Sequence, residues 1–142
     1  AYQNKLTKRN KVIFQTGGVA YIYLCYGIHS LFNIVTNQKG IPHAILIRAI
    51  EPLRGISIME NRRKQKKSYN LTSGPGKLTQ ALGISSNQNG CQLVGPEIII
   101  KHYQSIDQNN IFASPRVGID YAGKDRLNPW KFRIIDNKWC SQ

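Results

Sequence analysis

The sequence is short of acidic residues. Seven of its 142 residues are Asp or Glu against 20 Lys and Arg, so the formal net charge is +13 and the isoelectric point is about 10.0. No two of these acids form a helical or strand pair suited to acid–base catalysis. The positive charge favours a polyanionic partner, and nucleic acid is the commonest one for such a chain. A generic anionic surface, or solubility alone, is the alternative explanation.

Long apolar runs and closely spaced cysteines are also missing. No run of about 18 or more apolar residues occurs, which excludes a membrane-spanning helix, and the polar, basic residues 1–11 do not resemble a signal peptide. Cys25, Cys91 and Cys140 form no CxxC pair, and no His-x-x-x-His spacing accompanies them. We therefore expect no metal site, no cofactor and no membrane association, with reduced thiols in an intracellular protein.

The hydrophobic pattern predicts an α+β fold with a mostly antiparallel sheet. Alternation over residues 20–25, a Gly-containing interruption and renewed β-type composition over 31–36 predict a β-hairpin, preceded by an exposed basic lead-in over 1–18. The other expected strands are short: residues 43–50, 97–101, 116–121 and 130–135. One helix is expected to begin at Pro52, and a second to follow a tight Ser-Gly-Pro-Gly loop and end at Gly83. Since regular βαβ alternation is lacking and no linker is visible, we expect a single mixed domain over residues 1–142.

Two cations lie at positions suited to anion binding. Lys77 follows the start of the second predicted helix, where free N–H groups could hold a phosphate; a plain helix start with a solvated lysine is the alternative. The loop is not a Walker A motif, because Leu71 and Leu78 replace its first glycine and its Ser or Thr. Arg48 stands in an otherwise apolar strand. It either lines a cleft, where it suits a phosphate or a positioned water, or forms a structural ion pair.

Three tyrosines cluster at the predicted hairpin. Tyr21, Tyr23 and Tyr26 could simply pack the sheet, which is the commoner fate of strand aromatics. Alternatively, one stacks on a base turned out of a DNA duplex and one wedges into the gap that the base leaves. Asn33, a polar residue in an apolar strand, could inspect the edge of that base or be a satisfied strand amide. The three histidines are interpreted as surface residues.

Five segments resemble one protein family, in the family's order and with family-like spacing. They are TKRNKVIF at 7–14, AYIYLCYGIHSLFNIV at 20–35, AILIRAIEPLRG at 44–55, SGPGKLTQALGI at 73–84 and SPRVGIDYAG at 114–123. Together they are distributed over residues 7–123, which is most of the chain, and are highly specific. On these segments the sequence resembles the alkyladenine (3-methyladenine) DNA glycosylases, which charge and periodicity alone would not have indicated.

The resemblance implies a fold and an activity. Such enzymes form one mixed domain with a curved antiparallel sheet and a β-hairpin that enters the minor groove of DNA. They act in base-excision repair, flipping an alkylated or deaminated purine such as 3-methyladenine or hypoxanthine and hydrolysing its N-glycosidic bond. The implied partner is double-stranded DNA with damaged purines. The protein is expected to be a monomer without a cofactor, in the cytoplasm or nucleoid of a bacterium or in a eukaryotic nucleus.

The resemblance also implies roles for residues at the hairpin. Tyr26 matches the tyrosine that intercalates where the flipped nucleotide was, and Ile13 matches a hydrophobic position beside it. Tyr23 matches a tyrosine that stacks on the extruded base. Asn33 matches the asparagine that disfavours the exocyclic amino group of normal guanine.

Further implied roles concern the attacking water and the DNA backbone. Arg48 matches an arginine that helps to hold the water beside the phosphate of the lesion, and the carbonyl of Val117 matches another ligand of that water. Thr7, Arg9 and Lys77 match positions that touch the DNA backbone.

One part of the family pattern has no counterpart in the sequence. The family's general base is a glutamate, which is followed by an aromatic residue and a histidine, all upstream of the segment that matches residues 7–14. We therefore expect the chain to be the C-terminal part of the glycosylase domain. By itself it is expected to release no free purine from alkylated DNA. The alternative function is a non-catalytic, lesion-binding DNA fragment. An RNA-binding domain is a weaker third possibility, because RNP-type and KH-type signatures are absent.

Overall fold

A computed structural model describes residues 5–66 and 68–140 of the chain. Within them the strands are β1 (Ala20–Cys25), β2 (His29–Val35), β3 (Ala44–Leu46), β4 (Ile111–Ser114) and β5 (Lys131–Ile134). The α-helices are α1 (Ile56–Arg63) and α2 (Pro75–Leu82). The 3-10 helices are Lys11–Phe14, Tyr69–Leu71, Ser86–Gln88, Gln108–Asn110 and Asp120–Leu127. The expected mixture of helices and antiparallel strands is confirmed, but the described strands form two small sheets and not one.

The predicted hairpin is the centre of the larger sheet. Strands β1, β2 and β3 form an antiparallel sheet in that order, with Ala20 opposite Ile34 and Cys25 opposite His29. Its turn closes with the Ile28 N–H donating to the Cys25 carbonyl at 3.0 Å. Both central residues of the turn have positive φ, as in the type I′ turns that suit the twist of a hairpin.

Helix α2 packs against β2 and holds the hairpin close to its turn. Leu78 is completely buried and clusters with Ala20, Ile22 and Phe32 of the sheet. The buried Thr79 hydroxyl donates to the Ser30 carbonyl at 2.7 Å. These contacts make the sheet and α2 one packed unit, and the tight-loop and Gly83 signals located this helix correctly.

The first half of the chain departs from expectation at three places. Residues 5–18 are not wholly an exposed lead-in, because Val12 and Ile13 are buried against the sheet. Helix α1 begins at Ile56, not at Pro52, since Gly55 in the left-handed region (φ 70°) makes the turn into the helix. The strand expected over 43–50 leaves the β2–β3 ladder after Leu46.

The second half was predicted less well. Of the expected strands, 130–135 is confirmed as β5, whereas 116–121 is wrong, since this stretch bends and then enters a 3-10 helix. Residues 97–101 form a single bridge between Val94 and Ile99 instead of a strand. The partner of β5 is β4, which was not predicted, and the two make a separate antiparallel ribbon with Phe112 opposite Arg133.

Across the described ranges, no helix is both long and apolar enough to span a membrane.

Candidate nucleic-acid interface

A cleft of about 670 Å³ lies between the three-stranded sheet and the β4–β5 ribbon. We call its two sides the hairpin wall (Tyr23, Asn33 and residues 44–49) and the ribbon wall (Arg116, Val117, Ile119 and residues 130–133). Four residues to which the resemblance assigned roles at the base or the water line this one cleft. They are Tyr23, Asn33, Arg48 and Val117.

Tyr23 forms the aromatic part of the hairpin wall. It is half-buried and lies 5.5 Å, centroid to centroid, from the Tyr21 ring. The Arg9 guanidinium lies 5.8 Å from the centre of the Tyr23 ring, and its Nη2 donates to the Leu24 carbonyl at 2.7 Å. Because Arg9 contacts both the ring and the strand beside it, the position of Tyr23 is set before any ligand binds.

Tyr21 itself belongs to the core. It is 9% exposed and clusters with Val12, Ile13, Val19 and Val35. Burial raises the pKa of its phenol above the ordinary 10.0, and the charge of Arg9 partly offsets this. Packing of the sheet accounts for Tyr21, in contrast to Tyr23, which reaches the cleft.

Asn33 is both a satisfied amide and part of the cleft. Its side chain is buried, and its Nδ2 donates to the carbonyls of Tyr21 at 3.1 Å and Leu31 at 3.3 Å. The donors of the amide are thereby held on the backbone of the hairpin. The position of Asn33 in the hairpin wall is therefore fixed by the strands themselves.

Arg48 lies where the chain has left the β3 ladder. Its Nε is buried and has no hydrogen-bond partner within the described residues, where Arg48 also forms no ion pair. Of the two interpretations offered by the sequence, a structural ion pair and a cleft-lining cation, the structure favours the second. A buried donor without a partner is costly, so it is a natural contact for a ligand oxygen.

Tyr26 stands at the tip of the hairpin with two unfavourable features. It is 93% exposed, and its φ of 50° places a bulky residue in the left-handed region. The neighbouring Ile28 is 73% exposed as well. Packing within the fold does not explain an exposed, strained aromatic residue, whereas insertion into a partner would.

Ile13, expected beside that tip, is placed in the core. It is 8% exposed and lies in the buried cluster that contains Tyr21. In this conformation it offers DNA almost no surface, so its predicted contact with the duplex stays a prediction.

The three expected DNA-backbone residues are held by contacts within the chain. The Thr7 N–H donates to Asn10 Oδ1 at 2.7 Å, and the Arg9 guanidinium donates to the Leu24 carbonyl. Lys77, in the first turn of α2, donates to Asn70 Oδ1. Their side chains lie at least partly in solvent, and contact with phosphate stays a prediction for all three.

The charge of the cleft was not predicted from the sequence. Four cations line it, Arg48, Arg116, Lys131 and Arg133, and none of its described lining residues is Asp or Glu. The alternation of basic and aromatic residues in PWKFR, 129–133, is the signal that could have indicated the ribbon wall. No group of three or more His, Cys, Asp or Glu side chains that could hold a metal occurs in the part of the chain that the structure describes.

A basic cleft beside an exposed aromatic hairpin tip is the kind of site that nucleic-acid-binding proteins use. Comparison with known proteins narrows this class. The profile of the methylpurine-DNA glycosylase family matches residues 1–138. The chain belongs to this family.

Curated relatives agree with the family match. A protein of Chlamydia felis, provisionally named 3-methyladenine DNA glycosylase, is 46% identical over 136 residues, covering 94% of this chain and 69% of the relative. A Bacillus licheniformis protein with the same provisional name is 43% identical over 143 residues, covering 100% of this chain and 71% of the relative. The matches thus span about seven tenths of the length of these relatives.

Proposed function

We propose that this chain binds double-stranded DNA and holds an alkylated or deaminated purine, turned out of the helix, in the cleft between the hairpin and ribbon walls. One observation carries the proposal: Tyr23, Asn33, Arg48 and Val117, which are far apart in sequence, line a single cleft. The family supports DNA glycosylase chemistry, in which a water displaces the purine from C1′ of its deoxyribose.

Recognition of the base rests on the hairpin wall. A purine entering the cleft can stack on Tyr23, and a purine that carries positive charge after alkylation gains a cation–π contribution there. Asn33, whose amide is held by two strand carbonyls, presents a fixed polar group in the same wall. A fixed group discriminates between base edges because it cannot move to accommodate an unfavourable substituent.

The hairpin tip supplies the other half of base flipping. Turning out a nucleotide costs a few kcal/mol of unstacking, and an inserted side chain offsets part of this by filling the gap. Tyr26 is suited to that role because its ring is free in solvent and loses no internal packing on insertion. The type I′-like turn holds the ring at the end of the hairpin.

Hydrolysis needs a group that the described cleft does not contain. Arg48 and Val117 line the cleft, and we propose them as ligands of the attacking water, but the described lining residues include no carboxylate that could remove its proton. A protonated arginine cannot act as that base. We therefore propose that these 142 residues supply lesion binding and do not by themselves hydrolyse the N-glycosidic bond.

Binding and chemistry are tested separately. Affinity is measured for two duplexes that differ at one position, a hypoxanthine–thymine pair or an adenine–thymine pair. We expect a preference of roughly tenfold for hypoxanthine, since its pair is easier to open. Tyr23→Ala should remove the preference, whereas Tyr103→Ala, at a 77% exposed residue outside the cleft lining, should keep it. Equal affinity of the unaltered chain for both duplexes refutes the proposal.

Single-turnover incubation with the same duplexes tests the catalytic part. The proposal predicts no free hypoxanthine when the chain is in excess over DNA. Rapid release of hypoxanthine would show that the chain contains a catalytic general base. The binding role would then be part of a complete active site.

A further inference from the structure

The β4–β5 ribbon exposes its apolar face and half-buries its basic residues, which is the reverse of an ordinary surface ribbon. Residues opposite each other in an antiparallel pair share a face, so Phe112 and Arg133 lie on one face with Ser114 and Lys131. The other face is apolar and exposed: Ile111, Ala113, Phe132 and Ile134. Lys131 and Arg133 are half-buried at the cleft, although charged side chains normally take the more exposed face. Phe132 lines the cleft as well, but the basic residues Lys131 and Arg133 are the more buried ones there.

Two arginines of the ribbon wall are held in place by aromatic rings. The Arg116 guanidinium lies 5.3 Å from the centre of the Trp130 ring, and the Arg133 guanidinium lies 4.8 Å from that of Phe112. Stacking on a ring fixes the plane of a guanidinium while its N–H edge stays available. A side chain fixed in this way loses less conformational entropy when it binds an oxyanion.

The charges of the cleft are not balanced from within. Arg116, Lys131 and Arg133 form no ion pairs with described residues, and Arg48 adds a fourth positive charge. Four like charges around one cleft repel each other, and an anion that enters removes this repulsion. A planar arginine fork matches the oxygens of a phosphate group.

We propose that Arg116, Lys131 and Arg133 form a phosphate-binding site for the DNA strand that carries the extruded nucleotide. This inference rests on the proposed function. The ribbon wall lines the same cleft as Tyr23 and Asn33. A nucleotide whose base is held by the hairpin wall would then have its sugar–phosphate side towards the ribbon. One wall then selects the base, and the other holds the backbone.

The test is the salt dependence of DNA binding. Log affinity falls as log salt concentration rises, and each phosphate contact that is lost reduces the magnitude of this slope by about 0.9 for duplex DNA. Arg116→Gln and Arg133→Gln should each lower the slope by about that amount on the hypoxanthine duplex, and the double variant by about twice as much. Arg126→Gln is the matched control, because Arg126 is exposed and outside the cleft lining. It should leave the slope unchanged.

The outcomes separate this inference from the proposed function. If the unaltered chain prefers the damaged duplex but both cleft variants keep its slope, the phosphate site is refuted and lesion binding stands. If Arg126→Gln lowers the slope as much as Arg116→Gln, the effect is one of net charge and the site is refuted as well. If the unaltered chain does not prefer the damaged duplex, both proposals fail. Arg116→Lys guards against misfolding: it keeps the charge and should retain most of the slope.

Discussion

The two walls of the cleft are built in different ways. Behind the hairpin wall, Ala20 and Leu78 are completely buried, and β2 is joined to α2 through Thr79. The ribbon wall lacks such support among the described residues: Phe132 is 65% exposed, Trp130 is 53% exposed, and β4 pairs with β5 alone. Tyr23 and Asn33, which we propose to discriminate between bases, stand on the rigid side. Three of the four cleft cations, Arg116, Lys131 and Arg133, stand on the ribbon wall, where less precise placement is needed, and Arg48 stands on the hairpin wall.

This division follows from what each kind of contact requires. A base edge is recognised by groups held within a fraction of an ångström, and packing of the kind seen around Leu78 provides that rigidity. Attraction between a cation and a phosphate changes slowly with distance, so a mobile element can provide it. The two walls should therefore respond differently to equivalent substitutions.

The largest difference is expected in stability. Leu78→Ala removes a fully buried side chain and should lower the free energy of unfolding by about 2–5 kcal/mol. Phe132→Ala removes a larger side chain that is 65% exposed and should cost about 0.5 kcal/mol. Urea unfolding of both variants measures this. Equal losses would show that the ribbon is packed as firmly as the sheet, contrary to the difference between the two walls.

A smaller effect is expected at Arg9, which the sequence assigned to the DNA backbone and the structure also places against the hairpin wall. Arg9→Met loses the bond to the Leu24 carbonyl and the contact with Tyr23, so stability should fall by about 1 kcal/mol. The preference for the damaged duplex should fall several-fold.

Arg9→Lys separates positioning from simple charge. A lysine keeps the positive charge but cannot reproduce the fork that reaches Leu24 while lying over Tyr23. We expect it to restore affinity for undamaged DNA but not the preference for hypoxanthine, as measured by equilibrium titration. Full recovery of both would mean that Arg9 acts through its charge alone.

The smallest effect concerns pH and the buried side of the hairpin. Burial raises the pKa of Tyr21 above 10.0 in the folded chain, partly offset by Arg9, so its neutral form is favoured there. The associated stability is complete below pH 10.0 and is lost as the pH rises through the folded-state pKa. Unfolding measured at increasing pH above 10 should therefore show a shallower loss for Tyr21→Phe than for the unaltered chain. Identical pH profiles would contradict the cause given for the shift.

The elements predicted best from the sequence are those whose structure depends on residues close together in the chain. The hairpin was located because alternation and a Gly-containing turn are local signals, and α2 because its loop and Gly83 mark its ends. Of the ribbon, β5 was predicted and β4 was missed, because β4 is stabilised by pairing with β5, about 20 residues further on. Helix α1 was started too early, since nothing in the apolar spacing reveals that Gly55 has a positive φ.

The candidate site shows the same limit. Resemblance to a family gave roles to Tyr23, Asn33, Arg48 and Val117, but their common cleft depends on contacts between distant parts of the chain. Charge composition predicted an anionic partner without showing which cations converge. That Lys131 and Arg133 face the cleft required the register of β4 against β5.

The central claim is that the hairpin unstacks DNA at a lesion by inserting Tyr26. The most direct measurement places the fluorescent base 2-aminopurine beside hypoxanthine in a duplex and records its emission as the chain binds, since unstacking brightens it. We expect a rise with the unaltered chain and little or none with Tyr26→Asn. Asparagine suits the positive φ of this turn, so the variant should fold at least as stably. An equal rise with the folded Tyr26→Asn variant would contradict the account.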